Sequence, residues 1–307
     1  MMPPLSPKSS FSGWRILVFA TIALGLTGPG QTIGVSVFID HFAEDLNLSK
    51  NAIASGYAIG TLCGALAMPT VGLWIDRYGV RRAMTIIATL FAGALFYMSG
   101  VQGIISLTIG FWFIRMLGQG SLSLVSNVAV SLWFEQRRGL ALGLTMTISS
   151  AMMALVPVGL SFTIAQWGWR TAWIVSASTV AMVVIPLAWF GIIDRPSSVG
   201  QHPDGLDPHP DPQKRAAVRP SMDRSAALRT RAFWVLAAAS GGASMLSTGL
   251  NFHQIALLGE SGFSQTEAAI MFLPQVVGTS VGSPLMGVAL DKIGARFAPL
   301  VSLLLLS

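Results

Sequence analysis

Charge is what this sequence has least of: Asp, Glu, Lys and Arg make up 10% of its 307 residues, against 52% that are apolar. Soluble globular chains carry about a quarter charged residues, so that class is excluded. Mean hydropathy is +0.64, and the few charges cluster. They leave apolar stretches of about twenty residues, the length that crosses the roughly 30 Å hydrocarbon core of a bilayer. The chain reads as an all-α polytopic membrane protein whose surroundings are a lipid bilayer. Cysteine is nearly absent too. Cys63 is the single one and falls inside an apolar run, which excludes a disulfide framework and thiolate metal sites. No metal or other cofactor is expected. Acids are outnumbered, 13 to 19, for a net charge of +6, yet the basic residues form no patch interleaved with aromatics, so nucleic acid is excluded as a partner. H-E-x-x-H, a nucleophile elbow and paired carboxylates are missing from the apolar runs. An enzyme is not expected.

What is present is a series of eight apolar spans, at about 16–38, 52–74, 83–101, 104–132, 140–165, 171–193, 232–257 and 267–290, with a ninth beginning near Phe297. Residues 1–13, rich in Pro and Ser, read as a disordered tail, and the run from Trp14 is too long for the core of a cleaved signal peptide. Residues 14–193 form a six-helix unit. Residues 194–231, rich in Pro, Asp, His and Arg, lack the apolar content for a core and read as a cytoplasmic linker. Residues 232–307 hold two spans and part of a third. With the N-terminus inside, cytoplasmic segments carry 16 of the 19 Lys and Arg, the outer loops carry Lys50 and Arg170, and Arg115 lies within the membrane. The positive-inside rule therefore places the N-terminus in the cytoplasm, and the expected location is a plasma membrane of the bacterial inner-membrane kind.

The chain also repeats. The stretch 72–82, GLWIDRYGVRR, returns with Gly287, Asp291, Gly294 and Arg296 each 215 residues beyond Gly72, Asp76, Gly79 and Arg81. Ser49 and Ser264 keep the same offset, each placed to cap the helix that follows. Parallel repeats are a transporter architecture with a midplane site between halves. On Gly72, Asp76, Arg77, Gly79, Arg81 and Arg82, with Val80 departing from the pattern, the turn resembles the G-x-x-x-D-R-x-G-R-[RK] loop of the major facilitator superfamily. The second copy, with Lys292 in place of Arg, is weaker. Arg115-Met116-Leu117-Gly118-Gln119-Gly120 resembles that family's fourth-helix R-x-x-x-G site, and Gly168-Trp169-Arg170-Thr171-Ala172-Trp173 its entry to helix 6. Residues 133–144 (WFEQRRGLALGL) with Ser149 resemble the fifth-helix signature of monocarboxylate and oxalate/formate-type carriers, although Gln136 replaces a Lys and Ile148 a Gly. The G-P-x-x-G-G element of drug antiporters is absent. The resemblance implies a twelve-helix bundle of which helices 1–8 and the start of helix 9 are seen, and it favours a small organic anion as substrate.

Arg115 falls near the bilayer centre, where an ionisable group is costly and marks a functional candidate. Two readings stand open: a guanidinium lining a cavity for a carboxylate, or one bonded to polar groups of helix 1 for structure. Span 7 puts Ser240, Ser244, Ser247, Asn251 and Gln254 on one face. Asn251 and Gln254 are candidates for a cavity, the serines for packing, and His253, just off the stripe, for a titrating or merely hydrogen-bonded group. Gly28-Pro29-Gly30 weakens helix 1 mid-membrane and would expose Gln31 to substrate or to a neighbouring helix. Asn127, Gln275 and Thr279 are of the same kind. The turn bearing Gly72, Asp76, Arg77, Gly79, Arg81 and Arg82 reads as a cytoplasmic gate in which Gly72 allows close helix approach. Gly287, Asp291, Lys292, Gly294 and Arg296 form the second gate.

The expected function is secondary active transport of a small organic solute, an anion first, by alternating access. The alternatives are a membrane sensor that binds without transporting and an inactive remnant of a transporter. On the resemblance, Asp76 docks at helix 11 and Asp291 at helix 5. The 307 residues then lack one latch, and the missing helices could be supplied separately.

Overall fold

The computed structural model describes residues 11–205, 226, 228–274 and 277–278, and every regular element among them is helical. Helices α1 (Gly13–Gly25), α2 (Thr32–Val35) and α3 (Ile39–Asp45) make up the first span, α4 (Lys50–Tyr78) the second and α5 (Val80–Met98) the third. The fourth is α6 (Ile104–Ile114), a wide π-helical stretch Arg115–Leu122, and α7 (Ser123–Trp133). Helix α8 (Arg138–Pro186) with the π turn Leu187–Gly191 covers the fifth and sixth, α9 (Arg231–Glu260) the seventh, and α10 (Gln265–Ile270) opens the eighth.

Four of these helices are long and apolar enough to cross a membrane, and the bent pair Gly13–Gly30 and Thr32–Asp45, at 40°, is a fifth candidate crossing. One of the four, Arg138–Gly191, is 54 residues long. A straight helix of that length would reach about 80 Å, more than twice the hydrocarbon core. Gly168 divides it, with φ +79° and ψ 163°, a conformation open to glycine and strained for other residues. The bend in the first span comes where the sequence places it. Gly28–Gly30 is a 3-10 turn, and Gln31 follows with extended backbone, ψ 161°. Both expected caps form. Ser49 Oγ accepts from Ala52 N, and Ser264 with Glu267 closes a capping box at α10.

Helix α4 packs on the fourth span through small residues. A Cβ at Gly60 would stand 2.7 Å from Trp112 N, so the close approach requires glycine there. Aromatic rings fill the end of the bundle bearing Asp45, with Phe38 stacked on Trp173 at 4.2 Å and Phe42 edge-on to Trp169 at 5.2 Å.

The opposite end shows two departures from the expected boundaries. Residues 11–13 are held, not a free tail: Phe11 packs on Trp133 and Phe134, and Ser12 N donates to Gln201 Oε1. Residues 194–205, expected within a linker, fold back across the bundle as a strap. Its polar groups find backbone partners instead of water, which a count of apolar residues does not reveal. Residues 206–225 lie outside the described set. Helix α9 is the sparsely packed element, with Phe252 and Ile255 its only buried residues.

Candidate functional site

Between α4, the π stretch and α9 lies a cavity of about 740 Å³, lined by residues that include Tyr57, Thr61, Arg115, Gln119, Ser244 and His253. The size falls within the roughly 300–1,000 Å³ typical of small-molecule sites. Arg115 opens the π stretch and is 6% exposed. Its Nε donates to Thr61 Oγ1 at 3.1 Å and its Nη1 to Thr32 Oγ1 at 3.3 Å. Tyr57 Oη also donates to Thr32 Oγ1, at 2.9 Å, and the guanidinium carbon sits 5.0 Å from the Tyr57 ring centre. Arg115 is thus tied to helix 1 through Thr32 and also lines the cavity. Among the described residues the ion pairs are Lys50 with Asp40 and Arg170 with Asp45, so no carboxylate neutralises Arg115. A buried guanidinium with five N–H donors and no counter-ion among the described residues suits an anion arriving from outside.

The other candidates divide. His253 lines the cavity. Gln31 does not; its Nε2 donates to Thr27 Oγ1 at 2.9 Å, one turn back in its own span. Asn251 and Gln254 also stand outside the lining set, which on α9 runs Gly241, Ser244, Met245, Thr248, Gly249, Phe252 and His253. This corrects the expected polar stripe. The rotation of α9 is set by Phe252, whose ring packs 4.6 Å from that of Tyr57; a buried aromatic anchor outweighs small polar groups. Asn127 lies away from the cavity, with its Oδ1 enclosed and without a hydrogen-bond partner among the described residues. Gln275, Thr279, Gly287, Asp291, Lys292, Gly294 and Arg296 lie outside the described residues.

Gln119 is the lining residue that motif reading passed over. It stands where the R-x-x-x-G pattern counted from Arg115 has its glycine, one turn from Arg115, and its Oε1 is buried with no hydrogen-bond partner among the described residues. The helical period puts residues four apart on one face, which is the signal that could have found it.

The turn between α4 and α5 is built differently from expectation. A Cβ at Gly72 would meet nothing within 4 Å, so the close approach assigned to it does not occur among the described residues. Gly79 is the demanding glycine, at φ +81° with Asp194 Oδ1 2.6 Å from its would-be Cβ. Asp194 Oδ1 accepts from Arg81 N at 2.8 Å, capping α5 with charge at the positive helix end. The Arg81 side chain lies over Trp189, 5.0 Å from its centre. Arg77 stands over Tyr78, Arg82 is exposed, and so is Asp76. At the start of α8, Asp204 accepts from the backbone N–H groups of Glu135, Gln136 and Arg137 at 2.9, 2.7 and 3.1 Å.

A family model described as Major Facilitator Superfamily matches residues 11–307. Human monocarboxylate transporter 14 is 25% identical over 198 residues, 62% of this chain and 37% of its own length. The chain spans less than half the length of the curated relatives it matches. Among solved structures, a bacterial homolog to the human lysosomal transporter Spinster, inward-facing and unoccupied, superposes with a TM-score of 0.70 at 18% identity, covering 94% of this chain and 64% of that one. A D-xylose-proton symporter gives 0.61 at 16% identity, covering 91% and 69%. At these identities the structures speak to the fold alone.

Proposed function

The chain belongs to the major facilitator superfamily, and on that premise we propose that it carries a small organic solute, a carboxylate anion first, across a membrane by alternating access. The observation that carries this reading is Arg115, buried with no counter-ion among the described residues, in the wall of a cavity large enough for such a solute. Similarity to a monocarboxylate transporter supports the solute class, and the placement of Lys and Arg supports a cytoplasmic N-terminus in a bacterial-type inner membrane. His253 faces the solute from α9. The Asp76–Arg82 turn, with the second copy at Gly287–Arg296, serves as the cytoplasmic gate, Asp76 being its exposed half. Among the described residues α9 buries only Phe252 and Ile255, a face that helices supplied separately would cover.

The test is uptake of a radiolabelled carboxylate panel into proteoliposomes by the full chain and by Arg115→Gln. A loss of about tenfold or more is expected, since a charge-assisted contact is worth roughly 1.5–3 kcal/mol. Equal uptake by the two forms overturns the role of Arg115. Ligand binding with no counterflow exchange would mark a sensor instead of a carrier.

A further inference from the structure

We propose that Gln119 is a second recognition point in this cavity and that it selects, among organic acids, those bearing a hydroxyl beside the carboxylate. The inference rests on the carboxylate reading of Arg115 and adds to it what the solute must carry besides its charge.

Residue 119 is fixed in place by its neighbours. A Cβ on Gly118 would stand 2.5 Å from the Phe91 ring, and one on Gly120 would run into Met68 Sδ, so one glycine is pressed on α5 and the other on α4. The wide turn itself is stabilised by side chains. Ser121 Oγ donates to Met116 O at 2.7 Å and Ser123 Oγ to Gly118 O at 3.3 Å, each five residues back, satisfying carbonyls that the π-helical geometry leaves short of a good partner. With its rotation set this way, the segment turns Arg115 and Gln119 into the same cavity wall.

Unlike Arg115, whose Nε and Nη1 are engaged by threonine hydroxyls, Gln119 makes no hydrogen bond among the described residues, and its Oε1 is enclosed. A buried acceptor without a donor is costly. The terminal torsion of glutamine is broad, so the amide can turn either end toward a ligand. A hydroxyl matches it at both ends, donating to Oε1 or accepting from Nε2. A keto oxygen can only accept, and a methylene does neither. Adjacent turns of a helix set side chains about 5–6 Å apart at Cβ, so a carboxylate held by Arg115 brings its 2- or 3-carbon substituent to Gln119. Of the remaining wall, Leu62, Met245 and Phe252 are apolar, while Ser244, Thr248 and His253 add polar groups on α9. The fitting solute is therefore a hydroxy acid whose apolar body packs against the apolar part of the wall.

The experiment is equilibrium binding to the full chain in lipid nanodiscs, using labelled 2-hydroxy-3-phenylpropanoate competed by 2-oxo-3-phenylpropanoate and 3-phenylpropanoate. The hydroxy acid should bind about tenfold more tightly than the unsubstituted acid, with the keto acid between them, the scale of one net hydrogen bond. In Gln119→Met, which keeps the volume and removes both polar ends, the three affinities should converge. In Arg115→Gln all three should weaken together. A wild-type chain that binds the acids without preference, or a Gln119→Met chain that keeps the preference, overturns the proposal while leaving the carboxylate reading intact. Failure of a folded wild-type chain to bind any of them overturns both. Should Gln119→Met not fold, Gln119→Asn, which withdraws the amide by one methylene, should likewise reduce the ratio.

Discussion

The two ends of the bundle are tied in different ways. At the end bearing Asp45 the contacts cross from the first six spans to α9 and α10. Gln265 Nε2 donates to Val37 O at 2.7 Å, His41 Nε2 lies 3.4 Å from Gln265 Oε1, and Phe252 packs on Tyr57. At the end bearing Asp76 the polar ties seen among the described residues join segments of residues 11–205. Asp194 holds the start of α5, Asp204 holds the start of α8, Gln201 holds Ser12, and Trp133 Nε1 donates to Ile193 O. The first half is thus closed on itself at one end and hinged to α9 at the other.

The largest expected effect is on the self-closed end. Asp204→Ala removes the acceptor of three N–H groups and leaves a non-glycine residue at φ +60°, a region that Asp tolerates better than Ala. A loss of about 2–3 kcal/mol in the stability of the first half is expected, read as a lower melting temperature. Asp204→Gly relieves the backbone and still loses the carboxylate, so it should recover only part. Either variant should leave hydrogen exchange at 36–41 unchanged, because the strap does not touch the hinge. Exchange that rises there would show that the two ends are coupled and that the contrast between them is false.

Phe252→Ala attacks the hinged end. In a soluble core the change would cost roughly 3–5 kcal/mol, but lipid tails can cover the exposed surface, so about 2 kcal/mol is expected. The loss should appear as protease and exchange sensitivity of α9 with the first six spans unaffected. Gln265→Leu removes the hydrogen bond to Val37 O and the weaker contact with His41 and should cost about 1 kcal/mol, raising exchange at 36–41 while leaving 194–205 protected. If Gln265→Leu loosens the strap as well, the division into two separately tied ends fails.

The elements legible in the sequence were those whose signal is local. Span lengths follow from apolar runs, Ser49 and Ser264 from the side chains that cap, the bend at Gly28–Gly30 from its own residues, and Arg115 from a charge where lipid would forbid one. What escaped was set by tertiary contact. Asp194 and Asp204 look like ordinary linker acids, and only the fold brings them to backbone N–H groups 113 and 68 residues away. The face of α9 was misjudged because periodicity identifies which residues share a side but not which side turns inward; Phe252 on Tyr57 decided that. Gly72 and Gly79 occupy one motif, yet only the backbone angle and the nearby carboxylate show that Gly79 is the constrained one.

The smallest effect tests whether the Asp45 end depends on charge. Asp45, beyond the apolar run 16–38 and the last residue of α3, accepts from Trp169 Nε1 at 2.9 Å and pairs with Arg170. The Trp169 hydrogen bond first, then that from Arg170, hold its carboxyl below the ordinary carboxylate value. A carboxyl that is more acidic in the folded state stabilises the fold above the ordinary value of about 3.9, and the contribution fades as pH falls through the folded one. Asp45→Asn should therefore melt slightly below the wild type at pH 7, with the gap closing as pH falls below the ordinary carboxylate range. The pair is exposed, and salt should shrink the gap at neutral pH. A gap that persists at acid pH would mean that Asp45 acts through shape, with Trp169 and the Gly168 break held by packing on Phe42 instead of by the carboxylate.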